Sequence, residues 1–247
     1  MNKYYFDKEN HYHYLNGNHL TGTSSVSDVI AKNLTWWSAE LSAVTALESG
    51  QHIPTIREEY EEAKKKGKPG IDALQKKYPI FKKARFAHYD EKNRTAEKGT
   101  DLHSLYENFI KNGIEDDSIK EFIRWSKENV KRVIGSEAYC YSEKQFVGGI
   151  TDCVVELKNG HVGVIDFKSS KEAYETQFWQ CGGYALQLLE NGGLDKDGNQ
   201  LFTIDRVDFL AVVPFRSEEK IPIVRYDVQN CIEAFLLEVG LYRKLNK

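Results

Sequence analysis

Apolar and polar positions follow two different periods along the chain. Up to about residue 135, apolar residues recur every three or four positions, as in "DLHSLYENFIKNG" and "SIKEFIRWSKENVKRVIG", and this spacing predicts amphipathic helices. From about Ser136 the pattern changes to short runs rich in Val, Ile and Phe, which predict strands. Helical spacing returns over residues 175–192 and 229–245. The predicted order is therefore helical first and mixed afterwards.

Signals near the beginning of the chain predict a hairpin followed by a helix. Asn16 and Gly17 lie between two short β-like runs, and Asn-Gly is a strong signal for a two-residue hairpin turn. Either Ser25 or Ser27 is placed to cap a helix over residues 26–47.

Together these patterns predict an α/β (α+β) fold, in which a mixed β-sheet core is flanked by helices. We expect residues 1–135 to form a hairpin and helical region that wraps around the core, and residues 136–247 to form the core itself. A chain of 247 residues with 40% hydrophobic residues can fill such a core, and we expect the two regions to make one compact unit.

Charge, cysteine content and hydropathy limit the possible ligands and cellular compartments of the protein. The formal charge is -3 and the pI is near 6.2, so a polyanion must be met by a local basic surface or a bound cation. Four widely spaced cysteines without a C-x-x-C pair are typical of buried thiols in a reducing compartment. No run approaches about 18 apolar residues, and the N-terminus lacks the apolar core of a signal peptide. We therefore expect a cytoplasmic protein without a membrane span.

The segment "GGITDCVVELKNGHVGVIDFKSS" predicts a hairpin with charged residues in strands otherwise suited to burial. A three-residue loop, Lys158–Gly160, with glycine in the left-handed conformation would pair Leu157 with His161. Counting back, this register places Asp152 opposite Asp166. A two-residue Asn-Gly turn would shift the pairing by one residue and move Asp152 to the other face.

In the three-residue register, the two faces of the hairpin differ in character. The face that carries the charges consists of Asp152, Val154, Glu156, Val162, Val164, Asp166 and Lys168. The other face consists of Cys153, Val155, Leu157, Gly163, Ile165 and Phe167. Glu156 lies four positions along the strand from Asp152, so we expect it to be too far away to share a ligand with that residue.

Two adjacent carboxylates need a compensating charge. At about 4 Å and an effective dielectric constant near 20, the repulsion between Asp152 and Asp166 is roughly 4 kcal/mol. Lys168 supplies one positive charge, and a hard divalent cation such as Mg²⁺ or Mn²⁺ would supply more. The competing interpretation is a salt bridge between Asp166 and Lys168 at the end of the strand, without any ligand.

The same residues resemble a known family. Asp152 in "GITD", followed by Asp166-Phe167-Lys168, resembles the metal-binding core of the PD-(D/E)XK nucleases. The RecB-like branch of this superfamily, which includes phage-type and mitochondrial-type exonucleases, adds a histidine on an upstream helix and a Q-x-x-x-Y helix. His103 in "GTDLH" matches the histidine. The resemblance implies a restriction-endonuclease-like sheet.

Gln180 and Tyr184, in "QCGGY", match the Q-x-x-x-Y pattern. They are one helical turn apart, so their side chains can reach the same point. The resemblance implies that they orient Lys168 and the scissile phosphate, whereas an ordinary polar helix face is the competing interpretation. The predicted buried stripe of this helix is Phe178, Cys181, Ala185, Leu188 and Leu189, and the adjacent polar stripe is Gln177, Gln180, Tyr184 and Gln187.

The resemblance implies metal-dependent phosphodiester hydrolysis. Asp152 and Asp166, with His103 and the backbone carbonyl of Phe167, would hold one or two Mg²⁺ or Mn²⁺ ions. Lys168 would position the attacking water or stabilise the developing charge.

Two residues of the predicted site have simpler explanations. Glu137, on the strand before Asp152, is a candidate additional acid, but surface glutamates are common on strands. His103 lies on a helix with an apolar stripe, so a histidine at the boundary of the core is its alternative. An iron–sulfur cluster is not expected, because the iron–sulfur members of this branch carry four grouped cysteines. The cysteines of this chain are spread over Cys140, Cys153, Cys181 and Cys231.

A lysine-rich segment is the best candidate for contacting a phosphate backbone. Its basic residues are Lys64, Lys65, Lys66, Lys68, Lys76, Lys77, Lys82, Lys83 and Arg85. The aromatic candidates for stacking on unpaired bases are Trp36, Trp37, Tyr78 and Phe81. A solvated helical face with core aromatic residues is the competing interpretation.

These expectations define a metal-dependent DNA exonuclease that acts on single strands or DNA ends in a bacterial cell or a phage-infected host cell. A recombination or replication protein is a candidate partner. A structure-specific endonuclease that cuts flaps or branches would use the same chemistry. A non-catalytic nucleic-acid-binding module of the same fold is the alternative from a different class, and the intact Asp, Asp-x-Lys and Gln-x-x-x-Tyr set disfavours it.

Overall fold

A computed structural model describes residues 3–30, 35–50 and 56–246 of the chain. Its strands are β1 (Tyr4–Asp7), β2 (Tyr12–Leu15), β3 (Asn18–Gly22), β4 (Val130–Ser142), β5 (Val147–Leu157), β6 (Val162–Lys168), β7 (Gly193–Leu194), β8 (Gln200–Phe202), β9 (Phe209–Pro214) and β10 (Ile223–Arg225). Its helices are α1 (Thr23–Ser27), α2 (Thr35–Glu48), α3 (Ile56–Lys65), α4 (Lys68–Lys77), α5 (Pro79–Asn112), α6 (Lys120–Asn129), α7 (Glu175–Asn191) and α8 (Val228–Leu245). The predicted mixed α/β fold is confirmed.

The chain divides into two compact units, which differ from the predicted division at residue 135. The first unit is Met1–Ala31 with Lys98–Lys247, and the second is Lys32–Glu97. The reason is that β3 pairs with β5, and that Tyr106 from the C-terminal part of α5 packs against the sheet. In the described residues, the helices lack the combination of length and apolar composition that crossing a bilayer requires.

Strand β5 is the centre of a mixed sheet. Strand β4 runs antiparallel along one edge of β5. The other edge is shared, because β3 pairs in parallel with the first residues of β5 and β6 pairs antiparallel with its last residues. Strand β6 then pairs in parallel with β9, which pairs antiparallel with β10. The sheet thus brings the N-terminal hairpin and the C-terminal strands together on β5 and β6.

The predicted register of the β5–β6 hairpin is confirmed. Cys153 pairs with Ile165, and the backbone N–H of Leu157 donates to the carbonyl of His161 at 2.8 Å. Gly160 has φ +88°, in the left-handed region that favours glycine. The loop between the strands therefore has three residues, and the same register places Asp152 opposite Asp166.

The alternation of the two faces is also confirmed. Val154 and Val164 belong to one apolar cluster, which includes residues of α7 such as Cys181. Cys153 and Ile165 belong to another cluster, together with residues of α5 and α6. Because helices cover both faces, the strands of this hairpin are buried along most of their length.

The N-terminal turn is as predicted, but the helix after it is not. Asn16 and Gly17 have φ of 51° and 78°, which suits a two-residue hairpin turn. Helix α1 already begins at Thr23 and ends at Ser27, so neither Ser25 nor Ser27 caps a helix that continues to residue 47. The Thr23 hydroxyl donates to the carbonyl of Gly148 at 3.0 Å, which fixes the start of α1 against β5.

Helix α6 ends earlier than its periodicity predicts. It ends at Asn129, whereas helical spacing in the sequence continues to Gly135. The residues from Val130 onward form β4 instead, and Val133 pairs with Val155 of β5. Pairing with a long buried strand therefore overrides local helical periodicity here.

Two glycines of α7 allow α8 to approach closely. A Cβ atom on Gly182 would lie 2.5 Å from the backbone carbonyl carbon of Cys231, and one on Gly183 would lie 2.7 Å from the Phe235 ring. Only hydrogen fits at these positions, so the two glycines of the Q-x-x-x-Y segment are required for packing.

Candidate metal-binding site

The two hairpin acids are held by the backbone of the sheet. Oδ2 of Asp152 accepts a hydrogen bond of 2.7 Å from the backbone N–H of Phe167, next to its cross-strand partner Asp166. Asp166 is only 1% exposed. Burial raises the pKa of Asp166 to about 6; Lys168 opposes the rise, and Asp152 adds to it. The two carboxylates therefore interact across the hairpin.

Lys168 forms an ion pair with Asp166 that leaves one oxygen without a hydrogen bond. Nζ of Lys168 lies 3.1 Å from Oδ1 of Asp166, as a hydrogen bond, and 2.8 Å from Oδ2. Oδ2 is buried and makes no hydrogen bond, but its contact with the ammonium group balances its charge. Burial alone would lower the pKa of Lys168, but Asp166 and Asp152 outweigh it and raise this pKa, so Lys168 is protonated at neutral pH.

His103 reaches the hairpin acids from α5. Its Nε2 atom lies 3.3 Å from Oδ1 of Asp152 and 3.8 Å from Oε1 of Glu137. The hydrogen bond to Asp152 raises the pKa of His103 to about 8, although burial opposes the shift. The imidazole also contacts the Phe167 ring edge-on at 5.9 Å, which fixes its position against the sheet. His103 is therefore part of the site and not an isolated boundary residue.

Glu137 enters the same site through an unusual backbone conformation. Its neighbours Ser136 and Ala138 pair with Cys153 and Thr151, which places Glu137 across from Asp152. Glu137 has φ +52°, a conformation that costs a residue with a side chain about 1 kcal/mol or more. Burial and the charge of Asp152 raise the pKa of Glu137 to about 7.

Glu107 is a candidate ligand that the sequence did not identify. It lies one turn after His103 on α5, and one ligand atom each of His103, Glu107 and Glu137 lie within 4.8 Å of one another. Glu107 also forms an ion pair of 2.5 Å with Lys111. The spacing of His103 and Glu107 on one helix face was a signal, but closeness to Glu137 depends on the packing of α5 against β4.

The donor set fits a hard divalent cation. Carboxylate oxygens are the preferred ligands of Mg²⁺ and Mn²⁺, and an imidazole adds affinity for Mn²⁺. Four carboxylates, those of Glu107, Glu137, Asp152 and Asp166, are opposed by the ammonium groups of Lys111 and Lys168 and, below its pKa of about 8, by the imidazolium of His103. One formal negative charge remains while His103 is protonated, and two remain once it is neutral. Oδ2 of Asp166 is buried and is balanced by the Lys168 ammonium alone, so a divalent cation would compete with this lysine for it.

Glu156 is engaged elsewhere, as expected from its position. Its two carboxylate oxygens each lie 2.6 Å from a cation, one from Lys131 and one from Arg132. These hydrogen bonds lower the pKa of Glu156 to about 2. It therefore serves as a surface ion-pair residue on the same strand as Asp152.

Gln180 and Tyr184 contact each other in α7. Nε2 of Gln180 donates to the Tyr184 hydroxyl at 2.8 Å, and both side chains are buried. Burial, with added effects of Asp166 and Asp152, raises the pKa of Tyr184 well above its usual value. In the part of the chain that the structure describes, hydrogen bonds do not join either side chain to Lys168, so their orienting role stays a prediction.

The predicted buried stripe of α7 loses Leu189, and three residues of the predicted polar stripe, Gln180, Tyr184 and Gln187, are buried. Leu189 is 40% exposed and does not belong to the buried stripe. Gln187, predicted on the polar stripe, is fully buried, because its amide donates to Oγ1 of Thr23 at 2.8 Å and to the carbonyl of Gly183. The N-terminal segment thus covers a polar part of α7 that the helix alone would expose.

A pocket of about 530 Å³ lies beside Tyr184. Its walls come from the N-terminal hairpin, α1, the beginning of β5 and the end of α8. Gly149 keeps this side of β5 clear, because a Cβ atom there would lie 2.7 Å from Oγ1 of Thr23 and 2.7 Å from the Tyr184 ring.

The predicted nucleic-acid-binding residues lie in the second unit. Its candidate lysines and arginine are exposed at Lys64, Lys65, Lys66, Lys68, Lys82, Lys83 and Arg85. Two of the aromatic candidates are engaged in internal contacts: the Tyr78 hydroxyl donates to Glu59 at 2.7 Å, and Phe81 packs 5.9 Å from the Tyr60 ring. The side chains of Trp36 and Trp37 lie outside the described residues.

Comparison with protein-family models gives no match, and comparison with curated proteins gives no significant match. What the chain does is therefore inferred from the residues of this site.

Proposed function

We propose that this protein is a Mg²⁺- or Mn²⁺-dependent nuclease that hydrolyses phosphodiester bonds in DNA, as an exonuclease on single strands or DNA ends. One observation carries the proposal. Buried Asp166 forms a close ion pair with Lys168, and the register of the two paired strands places the carboxylate of Asp152 opposite it.

The residues divide into ligands and a charged group. Asp152 and Asp166, with His103 and the backbone carbonyl of Phe167, would hold the cation, and Glu137, 3.8 Å from His103, would be an additional acid ligand. When bound, Mg²⁺ or Mn²⁺ supplies charge neutralisation at the phosphate and lowers the pKa of a water molecule.

Lys168 has a separate role in the proposal. Its ammonium group keeps its proton at neutral pH, so it can position a water molecule or stabilise negative charge that develops on the phosphate. Because the ion pair with buried Asp166 already fixes the ammonium group of Lys168, this group would not have to be reoriented during the reaction.

The salt-bridge interpretation of Asp166 and Lys168 accounts for less of the site. A salt bridge needs only Asp166 and Lys168. It does not explain why Asp152, His103 and Glu137 lie close together beside it, on β5, α5 and β4. Carboxylates with raised pKa values in a cluster, such as buried Asp166 and half-buried Glu137, are frequent at functional sites, which supports the proposal.

The cellular setting belongs to the same proposal. The four cysteines are free and buried, which suits a reducing cytoplasm in a bacterial cell or a phage-infected host cell. DNA is the proposed substrate, and a recombination or replication protein is the proposed partner.

Digestion of end-labelled DNA tests the proposal. Linear single- and double-stranded DNA, labelled at the 5′ or the 3′ end, and circular single-stranded DNA would be incubated with Mg²⁺, Mn²⁺ or EDTA. We expect metal-dependent shortening from one end, and loss of at least 10²-fold in rate with Asp166→Asn. Glu156→Gln is the matched control, because Glu156 shares the face of Asp152 but pairs with Lys131 and Arg132.

The other outcomes separate the alternatives. Internal cuts in circular or branched DNA would identify a structure-specific endonuclease. Binding of DNA without cleavage in either metal would identify a non-catalytic module and overturn the proposal.

A further inference from the structure

The second unit carries an open groove of about 840 Å³ between α4 and the first part of α5. Asp72, Gln75 and Lys76 line it from α4, and they share one face of that helix because they are three and four positions apart. The opposite wall is one face of α5. It consists of Pro79, Lys82, Lys83, Phe86, Tyr89 and Asp90.

Two large aromatic side chains are exposed in this groove. Phe86 is 38% exposed and Tyr89 is 58% exposed, and they are three positions apart on α5. The guanidinium group of Arg85 lies 5.5 Å from the centroid of the Phe86 ring, so a positive charge stands against the aromatic surface. Exposed aromatic rings beside cations are the elements with which proteins bind unpaired bases.

The charge of the groove favours a polyanion. Residues 76–89 contain five lysines and arginines and no aspartate or glutamate. Lys77 is paired with Glu59 at 2.7 Å, but among the described residues no carboxylate lies within ion-pair distance of Lys76, Lys82 or Lys83.

The charge of the whole second unit has the same sign. Residues 32–97 carry 13 lysines and arginines against 10 aspartates and glutamates, whereas the whole chain has a net charge of -3. Asp72 and Asp90 also line the groove. Its positive charges are those of Lys76, Lys82 and Lys83, which outnumber the two carboxylates.

We infer that this groove binds single-stranded nucleic acid, with bases stacked on Phe86 and Tyr89 and phosphates beside Lys76, Lys82 and Lys83. A duplex fits these features less well, because paired bases do not expose their faces for stacking. The inference rests on the proposed nuclease function, because it identifies single-stranded nucleic acid as the substrate that the nuclease would bind. The binding itself requires no metal and no cleavage.

Fluorescence anisotropy in EDTA measures this binding with the full chain. The probes are a labelled oligothymidine and a labelled duplex of the same length. We expect the single strand to bind at least tenfold more tightly than the duplex at moderate salt. Tyr89→Ala should weaken single-strand binding by about 5- to 150-fold, which corresponds to the loss of one stacked base. Tyr89 is 58% exposed, so this variant should fold, and circular dichroism would verify it.

Lysine variants test the phosphate contacts independently. Lys82→Ala and Lys83→Ala should each lower the slope of log affinity against log salt concentration by about 0.7. Tyr226→Ala and Lys144→Ala are the matched controls, because Tyr226 is 62% exposed and Lys144 is exposed, and both lie in the first unit. The controls should leave the affinity unchanged.

Equal affinity for single strand and duplex, or equal losses in groove and control variants, would overturn the inference. The two proposals fail in different ways. If the protein cuts DNA but Tyr89→Ala does not change its affinity for single strands, the groove proposal fails and the nuclease proposal stands. If Tyr89→Ala weakens single-strand binding but the protein cuts no DNA in Mg²⁺ or Mn²⁺, the nuclease proposal fails and the groove proposal stands.

Discussion

The carboxylate of Asp152 accepts the backbone N–H of Phe167 on the neighbouring strand at 2.7 Å. This bond uses Oδ2, and the other oxygen, Oδ1, faces His103 at 3.3 Å. One oxygen thus holds the strand in place and the other belongs to the cluster of charged groups. Asp152 therefore combines a structural role with the proposed role as a metal ligand, and substitutions can separate them.

Asp152→Asn and Asp152→Ala should differ in stability but not in activity. An asparagine oxygen can still accept the Phe167 N–H, so the free energy of unfolding should change by less than about 1 kcal/mol. Alanine leaves that N–H without its partner, which costs about 1–3 kcal/mol. Urea unfolding measures the difference. Both variants should lose metal-dependent cleavage, since neither has a carboxylate, and an active Asp152→Asn would contradict the proposed ligand role.

Without divalent cations, the charged groups of the candidate site should make the protein less stable as the pH rises from about 5 to 8. The pKa values of Asp166 (about 6) and Glu137 (about 7) are raised on folding, so the native state holds protons that the unfolded chain has already released in this range. His103, with a pKa of about 8, adds stability at low pH that is lost as the pH rises through 8. These three effects have the same sign. Burial lowers the pKa of His13 to about 4, so His13 opposes them below about pH 6.5, and the net loss of stability should be clearest between about pH 6.5 and 8. Thermal unfolding in EDTA measures it.

Mn²⁺ should raise the melting temperature more at pH 8 than at pH 5.5, because protons must leave the ligands before the ion binds. Glu238 provides a control: burial raises its pKa to about 7, but it bonds to Ser27 in α1 and lies outside the proposed site. Glu238→Gln should weaken the pH dependence in EDTA and leave the Mn²⁺ effect unchanged. An equal Mn²⁺ effect at the two pH values would argue against binding at these acids.

Lys168→Ala should slow cleavage by about 10²- to 10³-fold while Mn²⁺ binding is kept or strengthened. The lysine ammonium competes with a cation for Asp166, so its removal favours the ion. Titration calorimetry with Mn²⁺ and the rate of digestion separate the two effects. Lys171→Ala, an exposed lysine three residues later, is the control and should change neither. Loss of Mn²⁺ binding in Lys168→Ala would contradict this division of roles.

Glu137→Asn should stabilise the protein and weaken Mn²⁺ binding. Asparagine tolerates the left-handed conformation better than glutamate does, and the variant lacks a half-buried carboxylate beside Asp152, so a gain of about 1 kcal/mol is expected at pH 8. Affinity for Mn²⁺ should fall several-fold. Lys220 has a similar φ of 50° outside the site, so Lys220→Asn should affect stability only. Unchanged Mn²⁺ affinity in Glu137→Asn would remove Glu137 from the ligand set.

Local signals made the β5–β6 hairpin predictable. The loop Lys158–Gly160 fixes the register through turn chemistry within three residues, and alternation along each strand fixes the faces. Asp152, Asp166 and Lys168 follow directly from that register. The mixed sheet with flanking helices was predictable for the same reason, because the spacing of apolar residues within each helix or strand indicates its type.

Non-local packing explains what the sequence did not reveal. The closeness of Glu107 to Glu137 depends on where α5 lies against the sheet and on a left-handed residue within β4. The start of β4 at Val130 depends on its partner β5 and overrides helical spacing. The burial of Gln187 depends on Thr23, which lies 164 positions earlier in the chain.

Helices α2 to α4 and the first part of α5 interrupt the chain of the unit that contains the acids, because β3 and the residues from Lys98 onward belong to that same unit. Residues 32–97 therefore close a loop. Doubling the length of such a loop adds only about 0.6 kcal/mol of closure entropy. Changes of length before Pro79, where the continuous helix α5 that carries His103 begins, should therefore cost the sheet little closure entropy.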